Sequence, residues 1–226
     1  TRIINLWENV FILMSGARAP PLPVIATPMN QFLDRNEPVY ETKGNLPHWT
    51  QYSKITFVTF RLADSLPKHA IDFILTEYES LRHRLEKDAN PANLARLKAI
   101  RHNQLEKYLD KGYGSCLLRN NIFRDIVVDA LHYDNGLSYI LHSYVIMPNH
   151  IHILIEPIGS ATIQNITQTI KSVSSHNINK ITLQKGSIWQ KDYFDRIIRN
   201  EDHYMRVLEY IRNNPKHCSP TEYTLY

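Results

Sequence analysis

Hydrophobic positions recur along this chain with two periods, and the switches between them mark out the elements. From Lys54 to Leu62 the run KITFVTFRL alternates and is rich in β-branched and aromatic residues, which predicts a strand that Asp64 to Pro67 ends. Ile74, Tyr78, Leu81 and Leu85, then Leu94, Leu97, Leu105 and Tyr108, fall at helical spacings broken near Asn90-Pro91, the pattern of an αα-hairpin. A shorter helix is predicted from Asn121 to Tyr133, with Ile122, Ile126, Val127 and Ala130 inward and a stop at Asn135-Gly136. Leu137 to Met147 and His150 to Glu156 read as two strands joined around Pro148-Asn149. Ile163, Ile166, Ile170, Val173 and Ile181 outline a long amphipathic helix whose polar face holds Lys171, Ser172, Ser174, Ser175, His176 and Asn179. Residues 188–199 lean towards strand, and Asn200 or Asp202 caps a last helix that Pro215 ends.

With the helical insert at 64–115 set aside, the order is βαββαβ. This is the order of a ferredoxin-like split βαβ antiparallel sheet, an α+β fold whose sheet face is packed or left open to a ligand. Such an architecture assigns no function by itself. Pro20, Pro21, Pro23, Pro28, Pro38 and Pro47 crowd residues 1–47, which sustain neither period and are read as an arm. Residues 1–28, ahead of Met29, are expected to be an upstream extension. The domain then runs over 48–217, and 218–226 is a tail.

Composition narrows the classes. A chain of 226 residues with 43% hydrophobic positions suits one sizeable globular domain. Its charge, 26 basic minus 22 acidic residues or +4, permits nucleic acid without requiring it. Cys116 and Cys218 have no paired spacing, so they read as structural thiols of a reducing compartment and exclude a disulfide framework or zinc knuckle. No stretch approaches the ~20 apolar residues of a membrane span, and no signal-peptide layout is present. A cytoplasmic location without membrane contact is the default expectation.

The sharpest chemical feature is MPNHIHILIEP at 147–157. Period two places His150 and His152 on one strand face and Ile151, Ile153 and Ile155 on the other. Two imidazoles so spaced suit one divalent ion, although eleven histidines also allow such a pair by chance on a solvated face. A pair leaves coordination incomplete and calls for a further ligand. In the last helix Tyr204, Val207, Leu208 and Ile211 make the core stripe, while Tyr210 and Asn214 lie off it and adjoin each other at i, i+4.

HIH within a strand followed by helical YIRNNP at 210–215 resembles the single-tyrosine transposases of the HUH endonuclease superfamily. IWQKDYFDRIIRNEDHYMRVLEYIRNNP at 188–215 and FVTFRLADSLP at 57–67 are similar more specifically to REP-associated tyrosine transposases, and the resemblance spans roughly 37–217. It implies the HUH-type sheet with a C-terminal tyrosine-bearing helix. It also implies that Tyr210 attacks a scissile phosphate to give a 5′-phosphotyrosine and a free 3′-hydroxyl. A divalent metal, Mg2+ or Mn2+, would sit on His150, His152 and Asn214. Insertion-sequence members often carry Gln where this chain has Asn214, as the REP-associated group does. The implied substrate is single-stranded DNA bearing an imperfect hairpin of the REP/BIME kind. A monomer is favoured because the insert would occlude a dimer surface, with a homodimer as the alternative.

Lys171 and Ser174 are candidate phosphate contacts, as are Arg196, Arg199 and Arg206 alongside Lys191 and Arg212. Trp189, Tyr193 and Phe194 are candidates for stacking on bases. His203 is the nearest candidate base. Two other readings remain: a hairpin-binding protein without catalysis, and a metal-dependent phosphodiesterase that ignores Tyr210.

Overall fold

A computed structural model describes residues 31–42, 48–85, 100 and 103–226. The proposed extension at 1–28 lies outside these residues, as does the break around Asn90-Pro91. A small antiparallel hairpin, β1 (Tyr40–Thr42) with β2 (His48–Thr50), precedes the main sheet. The elements that follow are β3 (Thr56–Arg61), α1 (Lys68–Leu85), α2 (Asn121–Tyr133), β4 (Tyr139–Ile146), β5 (His150–Pro157), α3 (Ile163–Thr182), β6 (Phe194–Ile197), α4 (Glu201–Asn213) and β7 (Thr224–Leu225). Residues 103–109 are helical and end the insert.

The main sheet is antiparallel with strand order β6-β3-β5-β4-β7. Without β7 this is the predicted ferredoxin-like arrangement. The central β5 is buried along its whole length. Ile151, Ile153 and Ile155 face α2 and α3 together with Val58, Phe60, Leu131, Ile166 and Ile170. On the opposite face Phe57, Val145 and Leu154 pack against Val207 and Ile211 of α4. The result is three layers, with α4 covering the sheet face that a two-layer sheet would leave to solvent.

Local chemistry sets the helix ends. Asn120 caps α2 by accepting the Ile122 N–H at 2.9 Å, Thr162 caps α3 from Asn165, and Asn200 caps α4 by accepting the His203 N–H at 2.9 Å. Glu201 and Asp202 in the first turn of α4 and Arg212 in its last complement the helix dipole. The insert closes on itself: Ser115 N–H donates to Asp64 Oδ2 at 2.7 Å. Gly114, at φ +86°, lies so near that an added Cβ would stand 2.5 Å from the Asp64 carbonyl oxygen.

Several expectations need correction. Ile122 is 53% exposed whereas Arg124 is 4% exposed. The Arg124 guanidinium donates to Leu118 O, Arg119 O, Thr221 O and Thr224 Oγ1, so polar saturation replaces an apolar inward position. In α3 the buried stripe runs through Ser174 and Ser175 while Val173 and Ile181 are exposed. Residues 31–33 of the arm dock on the sheet edge, with Leu33 N–H donating to Ile198 O and Ile55 N–H to Gln31 O, both at 2.8 Å. The tail supplies β7, and Tyr226 exchanges two backbone hydrogen bonds with Tyr144. Among the described residues no helix is long and apolar enough to cross a membrane.

Candidate metal and nucleophile centre

The two histidines are not on a solvated face. His150 is 1% and His152 0% exposed, because α4 and the 103–109 segment roof that side of β5. A neighbour orients each ring: His150 Nδ1 lies 2.7 Å from Asn149 Oδ1 and His152 Nδ1 2.8 Å from Thr59 Oγ1. In both rings Nε2 is the nitrogen not taken up by the orienting partner, as second-shell groups commonly arrange for a ligating imidazole. The ring centroids are 4.8 Å apart.

α4 delivers Tyr210 and Asn214 to the same point. Tyr210 Oη is 3.4 Å and Asn214 Nδ2 3.3 Å from His152 Nε2. Phe57 stacks against His152 at 5.5 Å and meets Tyr210 edge-on at 5.8 Å, so an aromatic wall fixes the phenol. Glu106, which sequence reasoning did not single out, enters from the insert. Its Oε2 accepts the Tyr210 hydroxyl at 2.6 Å and stands 3.2 Å from His152 Nε2. The only signal for it was a helical period that placed Leu105 and Tyr108, not Glu106, in the pattern. Burial, with Glu106 next, pushes the Tyr210 phenol well above its ordinary pKa of 10.

The donor set fits a divalent ion. Two imidazoles, a carboxylate and a carboxamide converge, and Asn214 Oδ1 is buried with no hydrogen-bond partner among the described residues. An oxygen in that condition is costly unless something electropositive meets it.

The candidate DNA-contacting residues divide. Arg196, half-buried over the Phe194 ring at 5.4 Å, pairs in register with Phe57 and so shares the histidines' sheet face. Arg199 and Arg206 are exposed beside it, at the start of α4. Lys171 lies on the other side, at a polar groove of about 810 Å³ between α3 and the 186–193 connection. Its ammonium donates to the carbonyls of Gln190, Lys191 and Asp192, and burial lowers its pKa to about 8. It ties that connection down. Ser174 and Trp189 are core residues, 0% and 3% exposed: Trp189 Nε1–H donates to Ser174 Oγ at 2.9 Å and the indole meets Phe60 edge-on. Neither presents a side chain to a strand lying on the surface. Tyr193 stacks on His48 at 4.2 Å and is 9% exposed. His203 is buried too, with Nδ1 accepting the Arg199 N–H at 3.1 Å.

Parts of this chain are similar to known proteins. Residues 128–214 match the family of IS200-like transposases. An uncharacterized protein of Haemophilus influenzae is 33% identical over 96 residues, covering 33% of this chain and 53% of the relative; the chain thus spans about half that relative's length. Among solved structures, a REP-associated tyrosine transposase bound to a REP hairpin aligns over 78% of this chain and 75% of its own, at 17% identity and TM-score 0.43. A putative transposase from Deinococcus radiodurans aligns over 76% and 97%, at 14% identity and TM-score 0.29. The matched residues 128–214 build β4 to α4 and carry His150, His152, Tyr210 and Asn214, so the part of the chain that is similar to IS200-like transposases is the part that holds these four side chains.

Proposed function

We propose that the protein cleaves and rejoins hairpin-bearing single-stranded DNA through a covalent bond to Tyr210. The observation that carries this is the placement of the Tyr210 hydroxyl 3.4 Å from His152 Nε2, with Asn214 alongside, inside a segment that matches the IS200-like transposases. A non-catalytic binder has no use for a half-buried phenol held against an oriented imidazole.

In the proposed step the Tyr210 Oη–phosphorus bond forms as the phosphorus–O3′ bond breaks. The phenol gives up one proton and the departing 3′-oxygen takes one up, so the reaction is isoenergetic in kind and reverses without ATP. Burial and Glu106 keep Tyr210 protonated at neutral pH, so its proton departs with attack rather than before it. His150, His152 and Asn214 would hold Mg2+ or Mn2+, whose positive charge when bound supplies stabilisation of the phosphate oxygens. Phe57 and Glu106 hold the phenol's direction. Arg196, Arg199 and Arg206 offer the DNA backbone a basic approach on the same face.

The hairpin substrate rests on the resemblance of 57–67 and 188–215 to REP-associated transposases; the similar transposase described with a REP hairpin names the probe to try first. Labelled hairpin-bearing single strands are mixed with Mn2+ and wild-type protein, Y210F, or wild type plus chelator, and resolved on a denaturing gel. A covalent band from wild type alone is expected. Cleavage that survives in Y210F would instead establish a phosphodiesterase, and binding without any band a hairpin-binding protein.

A further inference from the structure

A carboxylate from outside the family-matched segment reaches the same centre. Glu106 is 8% exposed, and one ligand atom from each of Glu106, His150 and His152 lies within 4.8 Å of the others. Ion–ligand distances of ~2.0–2.2 Å put three evenly spread ligands of one ion at most about 3.8 Å apart; Glu106 Oε2 and His152 Nε2 already meet that limit at 3.2 Å, and closing the full set takes a shift of about an ångström or less.

The segment that carries Glu106 is anchored to the histidine strand. Asn149 Nδ2–H donates to Leu109 O and Tyr113 O at 3.2 Å each, while its Oδ1 meets His150 Nδ1. One side chain therefore fixes both the end of the insert and the first imidazole. A carboxylate buried this deeply and standing 3.2 Å from an imidazole nitrogen is in surroundings where a shared cation would be favourable.

We infer that Glu106 is a ligand of the divalent ion, which makes residues 103–109 of the insert part of the centre. The inference rests on the metal reading above and extends it. Adding one negative charge to two neutral imidazoles and a carboxamide biases the site towards hard, oxygen-seeking ions. The same carboxylate accepts the Tyr210 hydroxyl, so one residue sets the nucleophile's position relative to the ion.

The test is isothermal titration of Mn2+ into the full chain without DNA, with circular dichroism confirming that each variant is folded. E106Q should bind at least about tenfold more weakly than wild type, as H150A should, and E106D should recover part of the loss. Y210F, which removes the same hydrogen bond but no ligand, should stay within about twofold of wild type. E106Q affinity within about twofold of wild type overturns the inference, as does a wild type that takes up no Mn2+ or an E106D no tighter than E106Q. The two readings fail separately. A covalent band together with an unchanged E106Q affinity removes only Glu106 from the ion, whereas a large E106Q loss with no band removes only the transferase reaction.

Discussion

Acid should loosen the helix that carries Tyr210, through His203. This imidazole is 9% exposed in the first turn of α4, and its Nδ1 accepts the Arg199 N–H, which requires an unprotonated Nδ1. Burial first, then Arg199, Arg196 and Arg206, push its pKa from the ordinary 6.5 down to about 4. A positive charge there would also oppose the helix dipole. The sign follows from proton counting: between pH 6.5 and about 4 the unfolded chain binds a proton that the folded chain refuses. The contribution is therefore present in full above 6.5 and lost as pH falls towards 4. The gap from 6.5 to about 4, at ~1.4 kcal/mol per unit, sets an upper bound near 3.4 kcal/mol. Because Arg199 and Arg206 are exposed and solvent screens their charges, about 1.5–2 kcal/mol is the expected effect. The assay is urea unfolding of wild type and H203Q from about pH 7.5 to about pH 4.5; glutamine keeps an acceptor for Arg199 and does not titrate. Wild type should lose about 1.5–2 kcal/mol more than H203Q across that range. Parallel losses would refute the reasoning, since carboxylates common to both proteins would then account for all the acid sensitivity.

Other consequences follow from side chains whose partners are complete. S174A and W189F should lower stability by about 1–2 kcal/mol through the lost indole–hydroxyl bond, yet leave hairpin affinity within about twofold; a selective loss of binding would return them to the DNA surface. R199A and R206A should weaken hairpin binding and flatten its salt dependence by about one phosphate each, measured by fluorescence anisotropy at several salt concentrations, with stability nearly unchanged. R124M should cost about 3 kcal/mol or more in chemical denaturation, because three carbonyls and a hydroxyl lose their donor. Deleting 218–226 should have a similar effect, since Thr221, Thr224 and Tyr226 are held by Arg124, β4 and Ser143 Oγ.

The elements with a long, uninterrupted period could be read from the chain. α2 begins and ends at the predicted residues, α3 and α4 within a residue or two, and Asn200 caps as its residue type suggests. Periodicity reports which positions are buried, however, not by what. In α3 the repeat passes through Ser174, which is inward because Trp189 brings its own hydrogen-bond donor, and hydropathy alone would turn such a serine outward. Arg124 hides for the same reason: its burial depends in part on the Thr221 carbonyl and the Thr224 hydroxyl, about a hundred residues away. β7 is two residues long and pairs with β4 through a register that no local pattern announces.

The site shows the same limit more sharply. His150 and His152 were visible because they sit within one strand, and Tyr210 and Asn214 because they sit within one helix, where spacing alone makes side chains neighbours. What no spacing could supply was the third layer. With α4 and the 103–109 segment laid across β5, the strand's second face becomes as dry as its first, and the histidines are buried side chains rather than surface ones. That burial raises the requirement on everything around them: each imidazole needs an oriented partner and the phenol an acceptor. Asn149 and Thr59 meet the first need, and Glu106 the second. Whether the same carboxylate also serves an ion is what metal affinity in the E106Q protein measures.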